Sequence, residues 1–376
     1  MSRKKRMSKK QAREERRKKI RRRRRKRAAI LIAEVLILAV LCVIAYGLFK
    51  LDKMDINILN EDKLEAYRDT GPYTNIALFG LDSRNGELDG GVQSDCIMIA
   101  SINNETNDVK IVSVYRDTLL QQSDGTYEKA NSAYNEGGPE AAISLLNRNF
   151  DLDIKNYISV NFSALVDVID ALGGIEMDMT AEEAYYSNGY AFETAQVVGK
   201  EMIKIPEEAG TQLLDGVHAV GYARIRYTEG MDFKRTERQR VVLQKVAEKA
   251  KKADILTLNQ IVNEVFPQIS TNLTIKDMLG FAANILDYNI VDTTGFPYAV
   301  TTDDNVRNHE GAYVVPISLN NNVTQLHQNL FGEADYEPSE KVRQIHNDIV
   351  YLTGIEEGSE AIETTFEGDV HNEGTQ

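Results

Sequence analysis

The residues best suited to chemistry form a basic cluster near the middle of the chain. Residues 224–240 contain six cations, namely Arg224, Arg226, Lys234, Arg235, Arg238 and Arg240. Guanidinium groups bind phosphate oxygens in pairs and stay protonated at physiological pH, so such a cluster suits a pyrophosphate group. The alternative is a solvated helix face, which most charge runs are. Composition alone leaves both interpretations open.

Two aspartates lie at the ends of short apolar runs. Asp82 and Arg84 follow the apolar run 74–80, and Asp95 begins the next run. If these runs are neighbouring strands, the two carboxylates can converge on one hard cation. Mg²⁺ commonly takes one or two carboxylates and completes its shell with phosphate and water. Either aspartate alone could simply form a turn, but beside the arginines the pair favours a site for Mg²⁺ or Mn²⁺.

Further polar groups follow the third apolar run, residues 109–114. Arg116 and Asp117 come directly after it, where Arg116 could contact phosphate and Asp117 could orient an arginine. The segment 129–138 begins with Lys129 and Asn131 and is too rich in specific side chains for an ordinary linker. Because sites are often built on loops held by a rigid scaffold, we expect both segments to border the site.

The elements that must position these residues are short strands and amphipathic helices. The pattern predicts strands at 74–80, 95–102, 109–114 and 157–162, with the second and third paired antiparallel. It predicts helices after Pro139, at 164–172 with Ser163 as the N-cap, at 236–253, after a Thr180–Glu183 capping box, after Thr274, and from Ser339 to Gly354. Their irregular alternation indicates an α/β (mixed α+β) fold, a mixed central sheet flanked by helices.

Charge and hydropathy divide the chain further. Residues 1–27 hold 18 Lys or Arg and two Glu, a net charge of +16, so the remainder carries −29 to give the total of −13. Residues 28–49 are apolar and, at the helical rise, long enough to cross a bilayer. We therefore predict a cytoplasmic polybasic tail (1–27), a transmembrane helix (28–49), a stalk (50–71), an extracellular domain (72–353) and an acidic disordered tail (354–376).

The apolar segment could instead be a cleaved signal peptide, although it exceeds the roughly 7 to 15 apolar residues usual for one. Beside a membrane, the basic tail is expected to contact anionic lipids rather than nucleic acid. The two cysteines, Cys42 and Cys96, offer the outer domain no internal disulfide.

The motifs together resemble the LytR-CpsA-Psr family of cell-envelope phosphotransferases. The similarity covers about residues 72–315 and agrees in order and spacing. The matching segments are 75–84 (NIALFGLDSR), 94–95 (SD), 114–118 (VYRDT), 129–134 (KANSAY), 172–174 (LGG) and Arg224-Ile-Arg226 with Asp232, Arg235, Arg238 and Gln239. Gln93 and Tyr115 depart from the family pattern, which often has arginine and proline at these positions.

The resemblance implies transfer of a glycopolymer, such as wall teichoic acid or capsule, from undecaprenyl pyrophosphate to a peptidoglycan hydroxyl. It implies that Asp82 and Asp95 bind Mg²⁺ and that a set of side chains holds the pyrophosphate: Arg84, Arg116, Arg224, Arg226, Arg235, Arg238 and Gln239. Arg116, Arg224 and Arg226 are then the expected catalytic cations, with Asp232 orienting or deprotonating the acceptor. Asp117, Lys129 and Asn131 are further expected cleft residues.

A lipid carrier also requires an apolar groove. The candidates are Phe162, Leu165, Val168, Ile169, Leu172, Val241 and Leu243. Ordinary core packing is the more common role of any one such residue.

Two other functions remain open at this stage. One is a lipid-pyrophosphate-binding regulator without turnover, and the other is a pyrophosphatase in which water replaces the sugar hydroxyl. The sequence contains no Walker-type or dinucleotide fingerprint, no zinc-ligand spacing among the five histidines and no Gly-x-Ser-x-Gly.

Overall fold

The computed structural model describes residues 55–83, 87–88, 90–265, 268–307 and 309–364. The strands are β1 (Asp55–Ile56), β2 (Tyr73–Leu81), β3 (Ser94–Asn103), β4 (Asp108–Val114), β5 (Leu119–Gln121), β6 (Tyr127–Lys129), β7 (Asn156–Asn161), β8 (Ile175–Met179), β9 (Gly210–Leu214), β10 (Ile269–Thr271), β11 (Asn289–Phe296), β12 (Val300–Asp303) and β13 (Tyr313–Pro316). The α-helices are α1 (Ser132–Phe150), α2 (Phe162–Ala171), α3 (Ala181–Val198), α4 (Gly216–Ala223), α5 (Met231–Ala250), α6 (Ile255–Val265), α7 (Ile275–Ala283), α8 (Leu319–Phe331) and α9 (Glu340–Thr353).

A mixed sheet forms the centre of the fold, as the sequence predicts. Among the described residues it has seven strands in the order β1-β10-β7-β2-β3-β4-β11. The pairs β2–β3 and β3–β4 are antiparallel, whereas β2–β7 and β4–β11 are parallel. The predicted antiparallel pairing of the second and third strands, β3 and β4, is therefore confirmed.

The two faces of this sheet have different partners because successive strand residues point to opposite sides. On β2, Ala77, Phe79 and Leu81 are buried in the main core, which they share with α1, α8 and α9. The alternate residues Leu78 and Gly80 face the other layer, where they line a cavity beneath α2, α4 and α5.

Several element boundaries differ from the prediction. Helix α1 begins at Ser132 rather than after Pro139, and the glycine pair ahead of that proline interrupts it: Gly138 has φ +62°. Asn161, not Ser163, caps α2, because its side chain accepts a hydrogen bond from the Ala164 amide. The predicted Thr180–Glu183 capping box of α3 is present, and Thr274 caps α7 as predicted, in a capping box with Asp277.

The predicted stalk and tail are partly folded. Strand β1 pairs with β10, and Leu64 is 1% exposed in the main core, so residues 55–71 belong to the domain and are not a stalk. At the other end, Ile355 packs against that core and the Ile362 amide donates to the Val300 carbonyl, so the acidic tail is ordered at least to this point.

No helix within the described ranges combines the length and apolarity needed to cross a bilayer. The predicted transmembrane helix (28–49), the basic tail (1–27) and residues 365–376 lie outside those ranges, and these predictions stay untested.

Candidate active site

The strand ends bring the first group of polar residues to one edge of the sheet. Asp82 follows β2, and Asp95 is the second residue of the antiparallel strand β3, so the two meet at the same end of the pair. Arg116 lies two residues beyond β4, the next strand. Both aspartates line one cavity, and their joint binding of a cation stays a prediction.

The helical layer supplies the second group. Arg224 is the C-cap residue of α4, and Arg226 follows it in the connection to α5. Gly230, at φ +81°, occupies the N-cap position of α5, a conformation that a side chain would strain. Asp232 and Arg235 then lie in the first two turns of α5 and face the strand ends.

Asp95 is the centre of this site. One of its carboxylate oxygens accepts a hydrogen bond from Arg116 Nη1 at 2.6 Å. The other lies 3.3 Å from Arg226 Nη2 and 3.7 Å from Arg235 Nη1. Three guanidinium groups, contributed by a strand end, a loop and a helix, therefore converge on one carboxylate.

Asp232 contacts the same three arginines from the other side. Its oxygens lie 3.1 Å from Arg235 Nη2, 3.5 Å from Arg226 Nε and 3.7 Å from Arg116 Nε. Because each guanidinium group contacts two carboxylates, its position is fixed before any ligand arrives. Such preorganisation lowers the reorganisation cost of binding an anion.

The network continues outward through Asp117. This carboxylate lies 3.4 Å from Arg116 Nε and 3.0 Å from Lys129 Nζ. The connected group thus contains four cations and three carboxylates, so it carries a net positive charge. Asn131 does not border the cavity, because its side chain is buried. Its backbone N–H donates to the Arg116 backbone carbonyl at 3.1 Å, which fixes the backbone of that arginine.

Burial and charge act in opposite directions on two of the arginines. Burial disfavours the charged form of Arg116, but Asp95, Asp232 and Asp117 outweigh it and raise the pKa of this guanidinium. Arg235 is more deeply buried, and burial lowers its pKa despite Asp232. Arginine starts so far above neutrality that both remain cationic.

A cavity of about 430 Å³ extends from this charged site between the sheet and the helical layer. Its mouth contains Asp82, Asp95, Arg224, Arg226, Arg235 and Gln239. Its wall is mostly apolar, with Leu78, Met98, Ile158 and Val160 from the sheet and Phe162, Leu165, Val220, Ala223, Val242 and Leu243 from the helices. A charged mouth on an apolar chamber is the arrangement that an amphiphile with an anionic headgroup requires.

The sequence identified only part of this chamber. Phe162, Leu165 and Leu243 line it as candidates, whereas Ile169 is fully buried in a separate helical core. The sheet residues were not predicted. The sequence signal that could have identified them is the apolar residue at alternate strand positions, as at Ile158 and Val160 of β7, both of which are half-buried.

Other sequence candidates lie away from the mouth. Arg238 does not reach the cavity: Nε donates to Glu183 at 3.0 Å and Nη2 to Thr228 at 2.7 Å, in a buried pair that joins α5 to α3. The expectation that it contacts the pyrophosphate therefore lacks geometric support. Gln93 is exposed, and its carbonyl accepts from the Asp82 amide. Arg84 lies outside the described residues.

The metal prediction can be compared with the donor groups present. Within the described ranges, no cluster of three or more His, Cys, Asp or Glu side chains could hold a metal ion. Asp82 and Asp95 nevertheless suffice for Mg²⁺, which often binds through one or two carboxylates and takes its other ligands from phosphate and water. The residues fit such an ion only together with a phosphate ligand.

Cys96 also borders the chamber, beside Asp95. Burial raises the pKa of its thiol to about 12, so the group is a neutral thiol at physiological pH rather than a nucleophilic thiolate. Its Cβ would lie 2.8 Å from a Cβ added at Gly80, which explains the glycine opposite it on β2.

Comparison with known proteins identifies a consistent set of relatives. A model of the LytR_cpsA_psr family matches residues 42–329. Over 212 residues the chain is 29% identical to the polyisoprenyl-teichoic acid–peptidoglycan teichoic acid transferase TagU of Halalkalibacterium halodurans, covering 56% of this chain and 64% of that protein. Over 222 residues it is 30% identical to TagU of Enterococcus faecalis, covering 57% and 65%. The chain thus matches slightly under two thirds of the length of these relatives.

Solved structures share the fold. A protein described as a transcriptional regulator from Enterococcus faecalis superimposes with a TM-score of 0.57 at 24% identity, over 79% of this chain and 98% of that one. The LytR-CPS2A-psr family protein YwtF (TagT) with bound octaprenyl pyrophosphate lipid gives 0.51 at 20% identity, over 70% and 93%.

Proposed function

Because the chain belongs to the LytR-CpsA-Psr family, we propose that it is a phosphotransferase that moves a glycopolymer from a polyprenyl pyrophosphate carrier to a peptidoglycan hydroxyl. The names of its relatives support this reaction, since they are teichoic acid transferases. We further propose that the carrier is undecaprenyl pyrophosphate and that undecaprenyl phosphate is released.

The observation that carries the proposal is the convergence of Arg116, Arg226 and Arg235 on Asp95, which lies at the mouth of an apolar chamber. A polyprenyl pyrophosphate has an apolar chain and a doubly phosphorylated headgroup, so it matches both parts. YwtF, which shares the fold, is named with octaprenyl pyrophosphate bound. A lipid-pyrophosphate-binding regulator would use the same chamber and the same cations, so only transfer to an acceptor distinguishes the two functions.

The proposed step replaces the phosphoanhydride bond of the carrier with a phosphodiester bond to the acceptor. The acceptor hydroxyl oxygen forms a bond to the phosphorus that bears the glycan, and the bond from that phosphorus to the bridging oxygen breaks. Polyprenyl phosphate leaves with the bonding electrons. The hydroxyl proton passes to a base, for which Asp232 is the candidate because it borders the arginines.

The arginines contribute position and charge, which phosphoryl transfer needs more than covalent assistance. Arg226 and Arg235 approach from the helical side and Arg116 from the sheet, so the pyrophosphate would be held between the two layers. Arg224 and Gln239 border the same mouth. In this arrangement Asp117 and Lys129 fix the orientation of Arg116 rather than contact the substrate.

We propose that Asp82 and Asp95 hold Mg²⁺ or Mn²⁺ when substrate is bound. The ion would neutralise charge on the pyrophosphate oxygens.

The location follows the charge pattern of the sequence. We propose that residues 28–49 anchor the chain in the cell membrane, with residues 1–27 on anionic lipids in the cytoplasm and the folded domain outside. This topology places the chamber on the side of the membrane where peptidoglycan is assembled.

The test uses the full-length chain, a polyprenyl pyrophosphate bearing a short radiolabelled glycan, Mg²⁺ and peptidoglycan fragments. We expect label to move to the fragments, and we expect Arg116→Ala or Arg226→Ala to slow transfer roughly 10²- to 10³-fold, as loss of a preorganised donor does. Arg307→Ala, at an exposed arginine outside the cavity, is the matched control. Unchanged transfer in both site variants would refute the proposal, and phosphate release without acceptor would identify a pyrophosphatase instead.

A further inference from the structure

A second depression, of about 650 Å³, lies beside the charged mouth. Its wall is unusually aromatic. Tyr185, Tyr186, Tyr190 and Phe192 come from α3, and Tyr227 comes from the connection between α4 and α5. We call these five residues the aromatic platform.

The four tyrosine rings of the platform form a connected series. Tyr190 and Tyr227 are nearly parallel, with an interplanar angle of 15° and centroids 6.4 Å apart. Tyr186 lies 5.9 Å from Tyr227, and Tyr185 lies 5.4 Å from Tyr186. The series therefore presents adjacent ring surfaces over a distance of several rings.

Several of these rings are largely exposed to solvent. Tyr227 is 71% exposed, Tyr185 59% and Phe192 58%. Scattered exposed apolar residues are ordinary, but a contiguous group marks a binding surface. None of the three side chains fills the core, so this group of exposed rings indicates a ligand-binding surface.

The platform is continuous with the proposed reaction site. Tyr190 lines both depressions, and the Arg224 guanidinium lies 5.3 Å from its ring centroid. Tyr227 directly follows Arg226 in the chain. A ligand lying on the platform would therefore end next to the cations at the mouth.

Charge distinguishes the occupant. The charged residues of the depression are Glu193, Glu207 and Lys204, a net negative set, and Glu193 extends towards Arg224 at 3.4 Å. Glu193 pairs with Arg224, and Glu207 pairs with Lys204 at 3.9 Å, so the lining residues offer a polyanionic glycopolymer no unpaired cation, whereas uncharged sugar rings need only the ring surfaces. The C–H faces of a pyranose carry partial positive charge and stack on the negative faces of aromatic rings, while the phenol hydroxyls can bond sugar hydroxyls.

We infer that the aromatic platform binds the N-acetylhexosamine chain of the acceptor and presents its hydroxyl to the mouth. This inference rests on the proposed function for the identity of the acceptor. The platform itself is a glycan-binding surface whose existence can be measured without turnover.

The binding test uses the full-length chain and a soluble β-1,4-linked N-acetylglucosamine hexamer as the probe, followed by calorimetry. We expect Tyr227→Ala to weaken hexamer binding roughly three- to tenfold, the worth of one aromatic contact, and Tyr227→Phe to restore it. The Tyr185→Ala, Tyr227→Ala double variant should bind the hexamer more weakly than either single variant. Tyr67→Ala, at an equally exposed tyrosine outside the platform, should bind as the unsubstituted chain does.

A second arm uses poly(glycerol phosphate) of similar length, and a third measures transfer. In the transfer assay, Tyr227→Ala should raise KM for the glycan acceptor more than it lowers kcat. Hexamer binding that depends on Tyr227 supports the inference even if no transfer occurs, which separates it from the proposed function. Absence of hexamer binding, binding insensitive to Tyr227, or preference of the platform for poly(glycerol phosphate) would overturn it.

Discussion

Arg235 and Arg238 stand three residues apart on α5, yet their guanidinium groups meet different carboxylates. Arg235 faces the strand ends and contacts Asp95 and Asp232. Arg238 faces α3 and pairs with Glu183, which also closes the capping box of that helix. Both side chains are buried. Because both residues are arginines on one helix, residue type and spacing could not separate a ligand-facing arginine from a structural one. The distinction depends on which neighbour each side chain meets.

The two arginines should therefore respond differently to substitution. Arg238→Ala leaves Glu183 without its partner in the interior, and we expect a loss of about 3–5 kcal/mol in the free energy of unfolding. Urea denaturation measures this, with Arg307→Ala, which removes an exposed contact with the Tyr351 ring, as a control expected to cost no more than about 1 kcal/mol. An Arg238→Ala variant as stable as the parent chain would show that the Arg238–Glu183 pair contributes nothing to the stability of the fold.

At the scale of elements, α4 is packed unusually close to α3. A Cβ added to Gly221 would lie 2.8 Å from both the Ala191 amide nitrogen and the Ser187 carbonyl oxygen, which are backbone atoms that cannot turn aside. This close approach sets the position of α4, whose residues Val220 and Ala223 form part of the chamber wall.

Gly221→Ala should consequently force the two helices apart. We expect a loss of about 1–3 kcal/mol, typical of overpacking, together with weaker lipid binding. Gly280→Ala is the matched control, because a Cβ there meets no atom within 4 Å and alanine favours a helix by roughly 0.5–1 kcal/mol. Thermal melting of both variants checks the prediction, and equal effects would contradict the packing argument.

Local patterns predicted the elements that depend on local signals. The central strands and the caps at Thr180, Thr274 and Ser339 were identified because apolar alternation and capping chemistry act over a few residues. Strand β1 was missed and treated as part of a stalk, since two residues become a strand only by pairing with β10 more than two hundred positions away. Strand β9 was missed for the same reason, because its partner is β8.

The site divides in the same way. Motifs named Asp82, Asp95, Arg116 and Arg226. The structure places Asp82, Asp95 and Arg226 at one mouth, and Arg116 contacts Asp95 there. The aromatic platform was not identified, because tyrosines at positions 185, 186 and 190 read as ordinary helix residues until Tyr227 joins them from another segment.

At the scale of the whole molecule, the chamber lies on one face of the sheet and the main core on the other. We expect Val160→Phe, which places a larger side chain in the chamber, to weaken binding of octaprenyl pyrophosphate roughly tenfold or more, by removing contacts worth about 0.8 kcal/mol per methylene. Inorganic pyrophosphate, which needs only the mouth, should bind as before.

Val160→Ile adds a single methylene at the same place and is the control for this substitution. It should bind both ligands nearly as the parent chain does. Parallel loss of octaprenyl pyrophosphate and inorganic pyrophosphate binding in Val160→Phe would mean that the substitution distorts the mouth instead of filling the chamber.

The alternation along β2 has an evolutionary consequence. Ala77, Phe79 and Leu81 pack in the main core, while the interleaved Leu78 and Gly80 line the chamber. Selection for a differently sized cargo can therefore act on chamber-facing positions such as Leu78, Ile158 and Val160 without altering the core-facing residues between them. Descendants of such a chain could diverge in what they carry while inheriting an unaltered scaffold.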